Sequence, residues 1–323
     1  MFRTELSILK APFSISHTSR IMTLGSCFSD EIGRYFSHYK FNTLVNPYGV
    51  IFNPLSLFRL ITKTIDLKSP AKDSYVVSEG LYKHLDFHSN FSATSLSKLE
   101  ERIVSTTHQT HNFLKKADIL VVTLGTAVAY EYLKTSSIVA NCHKIPQSEF
   151  KQSVITTDSI RAAFDDLVVK MRAFNRNLKI IFTVSPVRHI KDTLETNSVS
   201  KATLRTSCND LVGEFSNVTY FPSYEIMLDD LRDYRFYKAD MLHPNRTAIE
   251  YIWSKFSEAY FSERTQVLIE KWKKIRKAID HKPLGTNSEA HQRFVYETIS
   301  KVEGFSTMFD VSEELNSLRE QLK

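Results

Sequence analysis

Residues 118–124 read DILVVTL and residues 178–184 read LKIIFTV. Each is a nearly continuous run of aliphatic and β-branched side chains without polar alternation, the pattern of a strand covered on both faces. Between them, Thr157-Asp158 caps an amphipathic stretch that predicts a helix to about Phe174. Upstream, Ile21 to Leu24 reads as a buried strand and Asp30 to Tyr39 as the helix behind it. Thr43 to Asn46 reads as a second strand closed by Pro47, and Pro54 to Ile65 as its helix. Downstream, Asn217 to Phe221 forms a last strand and Asn245 opens a long helix. This alternation predicts an α/β protein of three layers, α/β/α, with a mainly parallel sheet. Tyr75 to His88 (YVVSEGLYKHLDFH) breaks the rhythm and predicts a hairpin insertion; Ala127 to Ala140 predicts a second.

From Ser262 onward the pattern is all-helical and charged. Leu268, Trp272, Ile275 and Ile279 recur at four and three residues, leaving Lys271, Lys273, Lys274, Arg276 and Lys277 largely off the apolar stripe. The expected division is an α/β domain over residues 1–261 and a charged helical extension over 262–323. The basic residues of that extension read as the solvated face of a packing helix.

The 323 residues include only 8 glycines, and no two lie closer than Gly25 and Gly33. A GxGxxG dinucleotide loop, a GxxxxGK[ST] phosphate loop and a GxSxG nucleophile elbow all need a tighter pair, so none is present. A formal charge of +6 is only mildly basic and bears on solubility, so no nucleic-acid partner is expected. Cys27, Cys142 and Cys208 lack CxxC or CxxH spacing, which argues against a disulfide framework or a structural zinc site. The first twenty residues lack the apolar core of a secretory signal, and no uncharged run approaches the ~18 residues of a membrane span. The expectation is a cytoplasmic protein with no membrane partner, no cofactor and no metal.

In parallel α/β sheets, ligands bind beyond the carboxyl ends of the strands. The first strand ends in Gly25-Ser26-Cys27-Phe28-Ser29-Asp30, a turn into a helix. A thiol at a helix N-terminus feels the positive end of the dipole, which lowers its pKa; the plainer reading of Cys27, as of most free cysteines, is a small buried hydrophobe. Far downstream stands Asp240-Met241-Leu242-His243-Pro244-Asn245. An Asp three residues before a His can take the imidazole Nδ1 proton and leave Nε2 free as a base. Asn141-Cys142-His143-Lys144 and Ser185-Pro186-Val187-Arg188-His189 also follow predicted strands. Arg188 could hold a substrate carboxylate or phosphate in a bidentate fork. His84, Asp86 and His88 share one face of a predicted strand, a geometry open to metal but more common in plain hairpin histidines.

The first-strand nucleophile turn combined with a late DxxHPN resembles the SGNH/GDSL hydrolase superfamily. The further motifs NPYGVIFNP (46–54), VTLGTAVAY (122–130), VANCHKIP (139–146), SPVRH (185–189), VSKATL (199–204) and DYRFYKADMLHPN (233–245) resemble the GSCFA family. The resemblance spans residues 25 to 245 and implies a flavodoxin-like sheet carrying a nucleophile–His–Asp triad. Cys27, not Ser26, then stands at the nucleophile position, with His243 as base and Asp240 as its orienting carboxylate. The resemblance implies Gly49 N–H and Cys27 N–H as oxyanion donors. The superfamily's GxN block reads Gly125-Thr126-Ala127 here, so its asparagine is missing; Thr126, Asn46 or Asn141 are the candidate substitutes. The function implied is an acyl ester or thioester hydrolase or acyltransferase acting on a small acyl or acylated substrate. The alternative is a binding protein that keeps the pocket for a glycan or acylated ligand.

Overall fold

The computed structural model describes residues 4–280 and 289–322. In chain order its first elements are β1 (Arg20–Gly25), α1 (Cys27–His38), β2 (Asn42–Val45), α2 (Pro54–Ile65), β3 (Tyr75–Ser78), β4 (Leu81–His84), β5 (Ser92–Ala93) and α3 (Leu96–Leu114). Then come β6 (Ile119–Leu124), β7 (Val128–Tyr132), β8 (Ser137–Val139), β9 (Phe150–Val154), α4 (Thr157–Phe174), β10 (Lys179–Val184), α5 (Leu194–Glu214) and β11 (Val218–Tyr220). The chain ends in α6 (Ser223–Glu225), α7 (Arg246–Tyr260), α8 (Glu263–Ile279), α9 (Glu289–Glu303) and α10 (Ser312–Glu320).

The central sheet has the order β2-β1-β6-β10-β11, and every neighbouring pair is parallel. Counting parallel strands along the chain gives 2-1-3-4-5, the flavodoxin-like order. The two opening motifs are its centre: all six residues of β6 are buried, as are five of the six in β10. Side chains alternate between two cores, because a strand has a period of two. Leu120, Val122, Leu124, Ile180, Phe182 and Val184 pack with residues of α2, α3, α4 and α5. Ile119, Val121 and Ile181 pack on the other face with α1 and α7. Each such buried Val, Leu, Ile or Phe contributes about 1.5–3 kcal/mol.

Both anticipated insertions are hairpins, each extended to three strands by β5 and by β9. They meet through Ala140 N–H to Leu85 O (2.9 Å) and a small cluster of Leu85, Tyr132 and Val139. The pattern reading passed over α5, and the reason is chemical. Its buried face mixes Asn197, Ser200, Lys201 and Ser207 with Leu204, Cys208 and Leu211, so the apolar stripe is diluted.

The C-terminal helices share the core of the α1 face. Ile269, Trp272, Ile275, Val295, Val302 and Leu318 belong to the same cluster as Ile21, Phe36 and Trp253. The Trp272 indole N–H donates to His38 O (3.0 Å), and Lys40 pairs with the buried Glu314 (2.7 Å). Removing the 1% exposed Trp272 side chain as Trp272→Ala should therefore cost about 3–5 kcal/mol in the main unfolding transition. Urea denaturation reads this; an unchanged main transition would mean that the extension is an independent appendage.

The strand ends set a second constraint. Gly25 has φ +128°, and a Cβ there would stand 2.1 Å from the Thr123 carbonyl oxygen. Gly25→Ala should cost about 3 kcal/mol or more, since forbidden backbone and a clash with backbone add. Gly213→Ala, in the last turn of α5 with nothing within 4 Å, should instead stabilise by up to about 1 kcal/mol. The same denaturation series compares the two, and equal shifts would contradict the close approach.

Candidate active site

The winding of the sheet reverses between β1 and β6, and the crevice at such a reversal is where α/β sheets bind ligands. There β1 ends at Gly25, and Ser26 N–H donates to Thr123 O (3.0 Å). Ser26 is the extended N-cap residue, and α1 starts at Cys27. The two candidate nucleophiles differ in access. Ser26 is 1% exposed with its hydroxyl buried and, among the described residues, without a hydrogen-bond partner, whereas Cys27 is partly exposed.

The expectation of a lowered thiol pKa is corrected. Burial pushes the Cys27 thiol up, and Asp30 in the first turn of α1 adds to the rise. Hydrogen bonds from the Cys27 and Phe28 N–H groups, and the charge of Lys201, oppose the shift without overcoming it. The helix N-terminus acts in the expected direction, but desolvation is larger.

The second half of the site is a loop closed on itself before α7. Lys238 N–H donates to His243 O (2.7 Å), Asn245 N–H to Phe236 O (2.8 Å), and Tyr237 bridges Pro244. Asn245 then caps α7 by accepting from Ala248 N–H (3.1 Å). Inside the loop, Asp240 Oδ1 accepts from Leu242 N–H (2.8 Å) and His243 N–H (3.0 Å). Its Oδ2 lies 2.8 Å from His243 Nδ1. The His243 and Leu242 N–H groups, then the His243 ring, hold the Asp240 carboxyl down to about 2. Asp240 and His243 thus form a hydrogen-bonded pair, and among the described residues Nε2 makes no hydrogen bond. Lys238 on the same loop pairs with Glu31 of α1 (3.6 Å), tying the loop to the helix that Cys27 begins. Among the described residues, no hydrogen bond joins the Cys27 thiol to His243 itself.

Lys201 and His189, to which the sequence reading gives no specific role, link the two halves. Lys201 is 1% exposed, and its Nζ donates to Gly125 O and Ser185 O, both at 2.7 Å. Burial pulls it down to about 7, and the charge that bears on it is that of Cys27. His189 packs edge-on against Phe52 at 5.3 Å, and among the described residues its buried Nε2 has no hydrogen-bond partner. Burial takes it down to about 4, helped by Lys201 and by His243. The charges of Cys27 and Lys201 thus act on one another, and those of Lys201 and His243 on His189. A signal for Lys201 exists in the sequence: at positions 197, 201, 204, 208 and 211 it falls on the stripe that α5 buries.

Several expected pocket residues have other employment. Gly49 N–H closes a turn onto Asn46 O (2.7 Å), so in this state it is not offered to an oxyanion. Gly49 is a glycine for a different reason: φ is +72°, and a Cβ would meet the His88 Cβ at 2.4 Å. The Asn46 amide is spent at both ends, accepting from Gly25 N–H (2.8 Å) and donating to Asp30 (2.6 Å). The Thr126 hydroxyl accepts from Val128 N–H (3.0 Å) and bonds the Ser200 hydroxyl (3.0 Å). Asn141 and His143 belong to the insertions. Asn141 Oδ1 accepts from His143 N–H (2.8 Å), and His143 Nε2 meets His84 O (2.8 Å). Arg188 lies over the Tyr237 ring at 4.7 Å and donates to Tyr234 (3.3 Å), joining the loop after β10 to the His243 loop. Asp86 is held by Arg59 (2.5 Å) and Lys63 (2.9 Å), while His84 bonds Ala71 O (3.2 Å). Those commitments remove the free donors that a His84-Asp86-His88 metal site would need. Among the described residues, no group of three His, Cys, Asp or Glu side chains is placed to hold a metal, and no helix is long and apolar enough to cross a membrane.

A cavity of about 850 Å³ lies elsewhere, between α1, α7 and α8, lined by Tyr35, Trp253, Arg246, Glu250, Lys273 and others, but not by Cys27 or His243.

Comparison with known proteins gives two kinds of result. A Clostridium thermocellum family 3 carbohydrate esterase aligns at 10% identity and TM-score 0.32, over 78% of this chain and 97% of that one. A carbohydrate esterase family 3 from Talaromyces cellulolyticus aligns at 12% identity and TM-score 0.30, over 78% and 99%. Likenesses this distant bear on neither the reaction nor the substrate here. No curated protein matches the chain. The profile of the GSCFA family matches residues 20–256, and that of the GSCFA domain protein, C-terminal domain, matches residues 272–323. The chain belongs to the GSCFA family.

Proposed function

We propose that the protein is an acyl hydrolase or acyltransferase acting on an ester or thioester. The observation that carries this reading is the 2.8 Å contact between Asp240 Oδ2 and His243 Nδ1, on a loop tethered to the helix that presents Cys27. With Nδ1–H donated to Asp240, the imidazole is fixed in the tautomer whose Nε2 accepts a proton. A thiol held above its ordinary pKa needs such a base, because little thiolate pre-exists. As His243 takes the proton, Cys27 Sγ bonds the acyl carbon and the carbonyl oxygen gains the negative charge. The Cys27 and Phe28 N–H groups at the start of α1, which bond the Cys27 sulfur in the resting site, are the donors proposed for it. Collapse expels the alcohol or thiol with the proton from His243, and water or a second acceptor then releases the acyl group. Small acyl or acylated molecules are the proposed substrates, with Arg188 at the rim as a candidate contact for a carboxylate or phosphate.

A second reading, a pocket-retaining protein that binds such a ligand without turnover, is favoured by one feature. Gly49 N–H and the Thr126 hydroxyl, two expected oxyanion donors, are occupied by internal bonds. Turnover of short acyl esters and thioesters separates the readings. The enzyme reading expects Cys27→Ala to lose at least about 10³-fold in kcat/KM. The same reading expects Ser26→Ala to stay near wild type. Asp240→Asn should lose on the order of 10³–10⁴-fold with the fold intact, because the imidazole is left in the wrong tautomer. Binding without any Cys27-dependent turnover would establish the second reading instead.

A further inference from the structure

A fully buried lysine needs an explanation that packing does not supply. Unpaired charge in an apolar interior is expensive, and buried cations are normally matched by carboxylates. Among the described residues, no carboxylate pairs with Lys201. Its two hydrogen bonds, each 2.7 Å, go to the carbonyls of Gly125 and Ser185. These residues directly follow β6 and β10, so a single side chain laces two adjacent strand ends beside the crevice. An ammonium has three N–H groups, and two are used. The Tyr224 ring lies at 5.8 Å, the turn into Cys27 is bonded through Ser26 N–H to Thr123 O, two residues before Gly125, and the charge of Lys201 acts on both Cys27 and His189. Asp30 acts on Cys27 from α1, and His243 acts on His189 from the loop before α7. Of these groups, Cys27 is the one whose negative charge bears on Lys201.

We propose that Lys201 is a positioning residue for Cys27: it fixes the two strand ends under the thiol and titrates with it as a coupled pair. The inference rests on the reading of Cys27 as the reacting group, but not on turnover. Coupling has a specific signature. While Lys201 is an ammonium, its charge favours the Cys27 thiolate; once it loses its proton, that help disappears. Burial brings this change to about pH 7, whereas the thiol itself titrates above its ordinary value.

The test is the rate of Cys27 alkylation by iodoacetamide against pH, followed peptide by peptide so that Cys142 and Cys208 are read separately. Lys201→Gln removes the charge and keeps two N–H donors. Below pH 7 the wild-type thiol should alkylate about three- to tenfold faster than the variant, a tenfold gap corresponding to one pKa unit. The gap should close as pH rises past about 7. Profiles that stay superimposed overturn the proposal. If Lys201→Gln and Lys201→Met both fail to fold, the wild-type profile decides, with His243→Gln beside it. A break in slope near pH 7 that survives His243→Gln supports the pair. A straight rise to the thiol's own midpoint overturns it. An inactive protein that shows the break refutes the acyl chemistry and keeps the coupling; an active one without it does the reverse.

Discussion

Everything at the site depends on how closely β1 approaches β6 at their carboxyl ends. Gly25 sits where any side chain would strike the Thr123 carbonyl, and the next residue, Ser26, donates its N–H to that same oxygen. The strand is thereby turned into α1 with no slack, and the first helical residue is Cys27. Asn46, at the end of β2, reinforces the turn by taking Gly25 N–H and holding Asp30. The thiol is therefore placed by backbone rather than by side-chain packing. This is the stiffer arrangement, since a nucleophile on a rigid strand–helix turn has few ways to wander.

The electrostatics around that thiol run against a preformed thiolate. Burial and Asp30 raise the Cys27 pKa, while the helix N-terminus and Lys201 only moderate the rise. Such a site holds its nucleophile protonated until a base removes the proton, which suits an Asp-oriented histidine better than a freely reactive cysteine. His189, pushed down to about 4 between Lys201 and His243, is a neutral ring that adds no further positive charge at neutral pH. Gly49 N–H and the Asn46 and Thr126 side chains, which the motifs suggested for the oxyanion, are engaged in internal hydrogen bonds that close turns and connect β6 to α5.

Much of the fold was legible because it rests on short-range patterns. The unbroken runs at 118–124 and 178–184 are strands buried on both faces, and both hairpins announced themselves by interrupting the strand–helix rhythm. Asp240 and His243 were legible for the same reason, since three residues of loop suffice to bring them together. What stayed hidden depends on distant partners. No local pattern shows that Gly49 N–H turns back to Asn46, that Asn141 and His143 fasten one insertion to the other, or that burial outweighs the helix dipole at Cys27. Lys201 was the nearest miss. Its spacing puts it on the buried stripe of α5, but a lysine there reads as an interruption until Gly125 and Ser185 are seen to receive it.

The central claim is that Cys27 carries the acyl group. Mixing the protein with an activated short-chain ester, quenching in acid and mapping the adduct by peptide mass spectrometry tests it most directly. The account predicts an acyl thioester on the Cys27 peptide that accumulates in wild type and forms far more slowly in His243→Gln. An ester on Ser26, or turnover that proceeds with Cys27 unmodified and replaceable, would contradict it.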